Sequence, residues 1–170
     1  MQANLLVTYD PSRIGKAKAE VQELLKEVDE EAEFLDSKTD GLFLLKVENA
    51  KHAVKKLRSI CRDEKEKFEC TFKWVPIEKW TSSQINDMAK ALKDIEERIG
   101  DDEKWKMDLT KRHYDSMSTT ELIMKLTENI EKPNVDLKNP DKIVKVEIIG
   151  ENAGISLLDA DEFLDVQKMK

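Results

Sequence analysis

Few residues of this chain have the chemistry of a reactive centre. Two histidines occur, His52 and His113. His52 falls among Lys51, Lys55 and Lys56, and a cationic neighbourhood lowers an imidazole pKa rather than building a base. Cys61 and Cys70 are the only cysteines. No paired Cys or His knuckle accompanies them, so they read as reduced core residues, not as zinc ligands. The glycines are scattered singly, which excludes a phosphate-cradling loop. No Gly-x-Ser-x-Gly elbow occurs, and no histidine is spaced to serve a nucleophile. The acidic pairs Glu96-Glu97 and Asp101-Asp102 read as helix-end or surface charges, and Asp159 and Asp161 as caps. No catalytic residue, metal site or cofactor is expected, and the chain reads as a non-enzyme.

One segment stands out by charge. Residues 104–113 carry Lys104, Lys106, Lys111 and Arg112 against Asp108 alone. As a strand, this segment puts Trp105, Met107 and Leu109 on one side, and Lys104, Lys106, Asp108, Thr110 and Arg112 on the other. His113 and Tyr114 follow at its end. Arginine grips phosphate with a two-pronged donor set and lysine as a mobile charge. His and Tyr rings offer flat surfaces to an unstacked base. The plainer alternative is a solvated outer strand face. Downstream, Asn139-Pro140-Asp141 reads as a turn before Lys142, with Asn139 able to bond its own backbone and Asp141 able to accept amides.

The composition bounds what such a patch could be. The net charge is -7 from 29 basic and 36 acidic residues, so a uniformly basic coat is excluded and any polyanion site is local. Charged residues reach 38%, but both signs are mixed and apolar residues recur periodically, so the chain is not disordered. No apolar run approaches the ~18–20 residues of a membrane span. The N-terminus lacks the basic region of a signal peptide, and a cytoplasmic location is expected.

The elements that would position these residues follow from periodicity. Leu5, Val7 and Tyr9 alternate as a strand. Asp10-Pro11 starts a helix with Ile14, Ala17, Val21, Leu24, Leu25 and Val28 inward. Strands follow at 32–35 and 42–47 around a turn at Gly41. Asn49 caps a second helix, and Phe68, Cys70, Phe72 and Trp74 alternate in a strand. This β-α-β-β-α-β order is ferredoxin-like. Beyond residue 76, Thr81 with Gln84 reads as a capping box for a helix that Gly100 ends. The strand 104–112 comes next, then a helix with a Ser118–Glu121 capping box. Short and long strands follow at 135–137, 143–149 and 153–158, and 160–169 reads as a short helix or docked tail. The expected fold is α/β (α+β): a ferredoxin-like unit at 1–76 packed on a second unit at 77–170.

A family resemblance bears on the second unit. The run Lys104-Trp105-Lys106-Met107-Asp108-Leu109-Thr110-Lys111-Arg112-His113, the Ser118 helix, Val135-Asp136-Leu137-Lys138-Asn139-Pro140-Asp141 and the Val144-Lys145-Val146-Glu147 strand together resemble a THUMP domain. A preceding ferredoxin-like unit is its usual companion. Thr110 stands where relatives often carry a basic residue. The resemblance implies binding of tRNA, typically at the acceptor stem and its single-stranded 3′ end. It places Lys104, Lys106, Lys111, Arg112, His113 and Tyr114 in the RNA site, with Asn139, Pro140, Asp141 and Lys142 as RNA-site or structural-turn residues. The two-unit architecture, ending at residue 170 without a catalytic domain, resembles an adaptor. Such an adaptor presents tRNA to a separate RNA cytidine acetyltransferase for N4-acetylcytidine formation. The implied partners are tRNA and that enzyme, with no DNA and no membrane. A subunit of a split sulfur-transfer or methylation enzyme, and a protein-only interaction scaffold, are the alternatives.

Overall fold

The computed structural model describes residues 1–170 and divides the chain into two compact units. The first comprises Gln2–Ile77 with Asp161–Lys170. Its strands β1 (Leu5–Tyr9), β2 (Glu33–Leu35), β3 (Leu42–Lys46) and β4 (Thr71–Pro76) lie in the order β2-β3-β1-β4, all antiparallel. This is the ferredoxin-like arrangement expected of the sequence. Helices α1 (Ile14–Glu27) and α2 (Ala50–Asp63) supply Val21, Leu24, Leu25, Val54 and Leu57 to its core, beside Phe68 and Trp74. Asn49 caps α2 by accepting from the His52 amide. Two details differ from the periodicity. Ile14 is exposed, because Asp10 caps a separate 3-10 turn at Pro11–Arg13 and α1 begins only after it. Phe72 falls at a register shift between β1 and β4, which breaks the alternation there. Both cysteines are buried and free, and burial pushes their thiols up.

The last ten residues were expected with the second unit and are found in the first. The strand β9 (Leu164–Asp165) pairs antiparallel with β4, and Leu164 and Val166 are buried in the first core. The tail covers what would otherwise be an open sheet edge.

The second unit comprises Met1 and Glu78–Ala160. Its sheet has the order β5-β8-β7-β6, built from β5 (Lys79–Ser82), β6 (Trp105–Arg112), β7 (Lys142–Ile149) and β8 (Asn152–Asp159). β6 and β7 run parallel, while β7–β8 and β5–β8 are antiparallel. Helices α3 (Ile85–Glu96) and α4 (Thr119–Thr127) pack on the face that carries Trp105, Met107, Leu109, Val144, Val146 and Ile148. Each such buried side chain contributes about 1.5–3 kcal/mol. Ser118 caps α4 by accepting from the Glu121 amide, as its sequence implies.

Three local expectations fail here. Thr81 is not a helix cap: it pairs with Ala153 inside β5, and Ser82 supplies the hydroxyl that accepts from the Gln84 amide. The helix ends at Glu96, ahead of Gly100. Residues 135–137 form no strand. Val135 makes a single bridge to Trp105, and Val135 and Leu137 are 57% and 72% exposed, so nothing rewards continued pairing. No helix is long and apolar enough to cross a membrane. The remaining α5 (Val166–Met169) closes the chain.

Candidate nucleic-acid interface

The strand β6 carries the candidate residues because its alternation is strict. Trp105, Met107 and Leu109 are buried, while Lys106, Asp108, Thr110 and Arg112 face the other way, only partly exposed. Strand geometry also divides the group. Lys106 and Arg112 are separated by roughly 20 Å along the strand. The single basic patch suggested by the sequence is therefore two clusters at opposite ends of β6.

The first cluster lies where β6 and β7 begin, with Trp105 in register with Lys142. Asp141 ties the two strands here. Its carboxylate accepts from the Lys104 amide at 2.9 Å, and its own amide donates to the Lys104 carbonyl at 2.7 Å. Asp136 makes the turn: its carboxylate accepts from the Lys138 and Asn139 amides, each at 3.0 Å. Those two amides, with the Lys104 charge behind them, hold its pKa below the ordinary carboxylate value. Lys104 pairs with Asp136 at 3.7 Å. Lys142 pairs with Asp159 and Glu103 and is held above the ordinary lysine value, chiefly by the Asp159 hydrogen bond. The Lys106 side chain has no intramolecular ionic or hydrogen-bond partner.

The turn residues thus part company. Asn139 is exposed, and its side chain bonds nothing in the chain. Asp136 performs the backbone-bonding role expected of Asn139. Asp141→Ala is expected to lower stability by about 1 kcal/mol through the lost amide bond. Asn139→Ala should stay within about 0.5 kcal/mol of wild type. Urea denaturation followed by tryptophan fluorescence checks both, and equal losses would contradict this division.

The second cluster lies where β6 ends. Lys111 donates to the Tyr114 carbonyl at 3.0 Å. The Tyr114 ring packs against the core of the second unit. His113 is exposed and takes a left-handed backbone conformation, φ 56°. Gly150, with φ 58°, donates its amide to the Arg112 carbonyl at 2.8 Å and closes the parallel pair. Ser83, Gln84, His113, Tyr114 and Gly150 line an open cleft at this end.

Arg112 is not the free, solvent-facing side chain implied by strand alternation. Its Nη1 donates to Glu147 at 3.0 Å, and Glu147 is 2% exposed. Lys145, fully buried, lies 3.3 Å from Glu147 and 3.1 Å from Asp108. Asp108, Lys145, Glu147 and Arg112 therefore form an alternating charge row across β6 and β7. Only the lysine and glutamate inside an otherwise apolar strand, Val144 to Ile149, hint at it in the sequence.

Comparison with known proteins places this unit. Residues 81–158 match the family model of the THUMP domain. The crystal structure of PH1313 from Pyrococcus horikoshii is similar at 17% identity and TM-score 0.64, covering 92% of this chain and 55% of that one. TrmN from Thermus thermophilus matches at 18% identity and TM-score 0.54, covering 90% and 44%. A predicted N6-adenine-specific DNA methylase from Listeria monocytogenes matches at 9% identity and TM-score 0.58, covering 92% and 40%. The chain thus spans about half the length of these relatives or less, and the likeness is one of fold. No curated protein sequence matches the chain significantly.

Proposed function

We propose that this chain binds tRNA through its THUMP domain. On this reading it presents the acceptor 3′ end to a separate RNA cytidine acetyltransferase for N4-acetylcytidine formation. The observation that carries the reading is the THUMP match over 81–158, a module of RNA binding in tRNA modification. The basic residues at the two ends of β6 support it. In a protein of net charge -7, long-range attraction of polyanions is weak, so recognition falls to local contacts. Local cations beside an aromatic suit a single-stranded end, where bases stack and phosphates are reachable. An A-form stem is read instead by shape. The chain contributes grip and orientation, and the acetyl transfer belongs to its partner.

Binding to intact tRNA is expected to exceed binding to the same tRNA trimmed of its 3′ single-stranded nucleotides; equal affinity would overturn end recognition. Nucleoside mass spectrometry of tRNA from a strain lacking this chain identifies the reaction. Loss of N4-acetylcytidine supports the adaptor reading. Loss of a methylated or sulfur-containing nucleoside instead replaces acetylation with that chemistry.

A further inference from the structure

We propose that Glu147 is a positioning residue of the RNA site, locking one arm of Arg112 so that its remaining donors face a phosphate. The inference rests on the RNA-binding reading above. Arg112 is 20% exposed at its side chain, against 2% for Glu147. Its Nη1 is committed to Glu147 Oε2. Its Nε and Nη2 make no bond within the chain, and neither is a buried orphan. A guanidinium carries a rigid fork of five donors, so fixing one arm fixes the direction of the others.

Glu147 is itself held from behind. Its Oε1 lies 3.3 Å from the ammonium of Lys145, which is anchored in turn by Asp108 at 3.1 Å. The two carboxylate oxygens are thus divided between a buried lysine and the arginine. The row of four charges sums to zero, so its contribution is geometry rather than field. A group whose rotamer is locked by buried neighbours loses less entropy on binding.

Three variants test this, with binding to intact tRNA measured at several salt concentrations. Glu147→Gln keeps an acceptor oxygen but removes the charge that locks Arg112. It is expected to weaken binding roughly tenfold and to reduce the salt slope of log affinity by about 0.7–0.9. In an Arg112→Ala background the same change should have no further effect, because Glu147 acts only through Arg112. Arg112→Lys preserves a charge for Glu147, and with it stability, but spends its single ammonium there. It should bind as weakly as Arg112→Ala. A Glu147→Gln effect of equal size in both backgrounds, or wild-type affinity of Arg112→Lys, would overturn the positioning role. Should Glu147→Gln not fold, Arg112→Lys decides alone. Failure of the wild-type chain to bind tRNA would overturn the proposed function itself, so the two failures are distinct.

Discussion

Lys145→Met is expected to destabilise the second unit by about 3–5 kcal/mol. Lys145 is the largest buried cation of the chain, with no exposed surface. Its removal leaves Glu147, almost as deeply buried, with Arg112 as its remaining cationic partner, and takes from Asp108 a cation 3.1 Å away. Removing one partner of a buried ion pair strands the other in low dielectric, and that cost exceeds what the pair itself contributes. Methionine is chosen because it fills nearly the same volume, so the loss reports charge rather than a cavity. Urea denaturation can be followed by tryptophan fluorescence, since Trp80 and Trp105 lie in this unit and Trp74 in the other. Wild-type stability of Lys145→Met would show that the charge row contributes nothing net.

The triple change Lys106→Ala, Lys111→Ala and Arg112→Ala is expected to reduce tRNA affinity on the order of a hundredfold or more at fixed salt. The salt slope should become shallower by about 2 as three phosphate contacts disappear. The three positions do not cost the same in stability. The Lys106 side chain has no partner within the chain, so its loss should change stability by no more than about 0.5 kcal/mol. Arg112 leaves a buried carboxylate under-satisfied, at about 1–3 kcal/mol. Binding is therefore measured well below the melting transition, with Lys106→Ala alone as the variant free of structural cost. Unchanged affinity of the triple variant across salt concentrations would make these residues an ordinary solvated face.

The difference between Lys106 and Arg112 illustrates what a strand pattern conveys. Both occupy the same side of β6 by alternation, and the structure agrees. Alternation says nothing about the neighbouring strand, and it is β7, in parallel register, that brings Glu147 within reach of Arg112. Likewise, Lys111 looks available in the sequence, but its ammonium reaches back to the Tyr114 carbonyl three residues on. Thr81 and Gln84 satisfied a capping rule locally and were overruled by the β8 partner that drew Thr81 into a strand.

The sequence by itself determined the ferredoxin-like element order, the caps Asn49 and Ser118, the inward faces of most helices and the strict alternation of β6. Each of these depends on residues within one or two turns or strand repeats, where local sterics and apolar periodicity suffice. The tertiary structure alone decided that β5 exists, that the tail completes the first sheet, and that Asp141 locks the start of β6. It alone assembled the charge row from Asp108 to Arg112 through Lys145 and Glu147. Those features join residues 35 or more positions apart through strand register. Register is set by packing across the sheet, because a pairing slipped by one residue reverses every face and no local segment carries the cost of that slip.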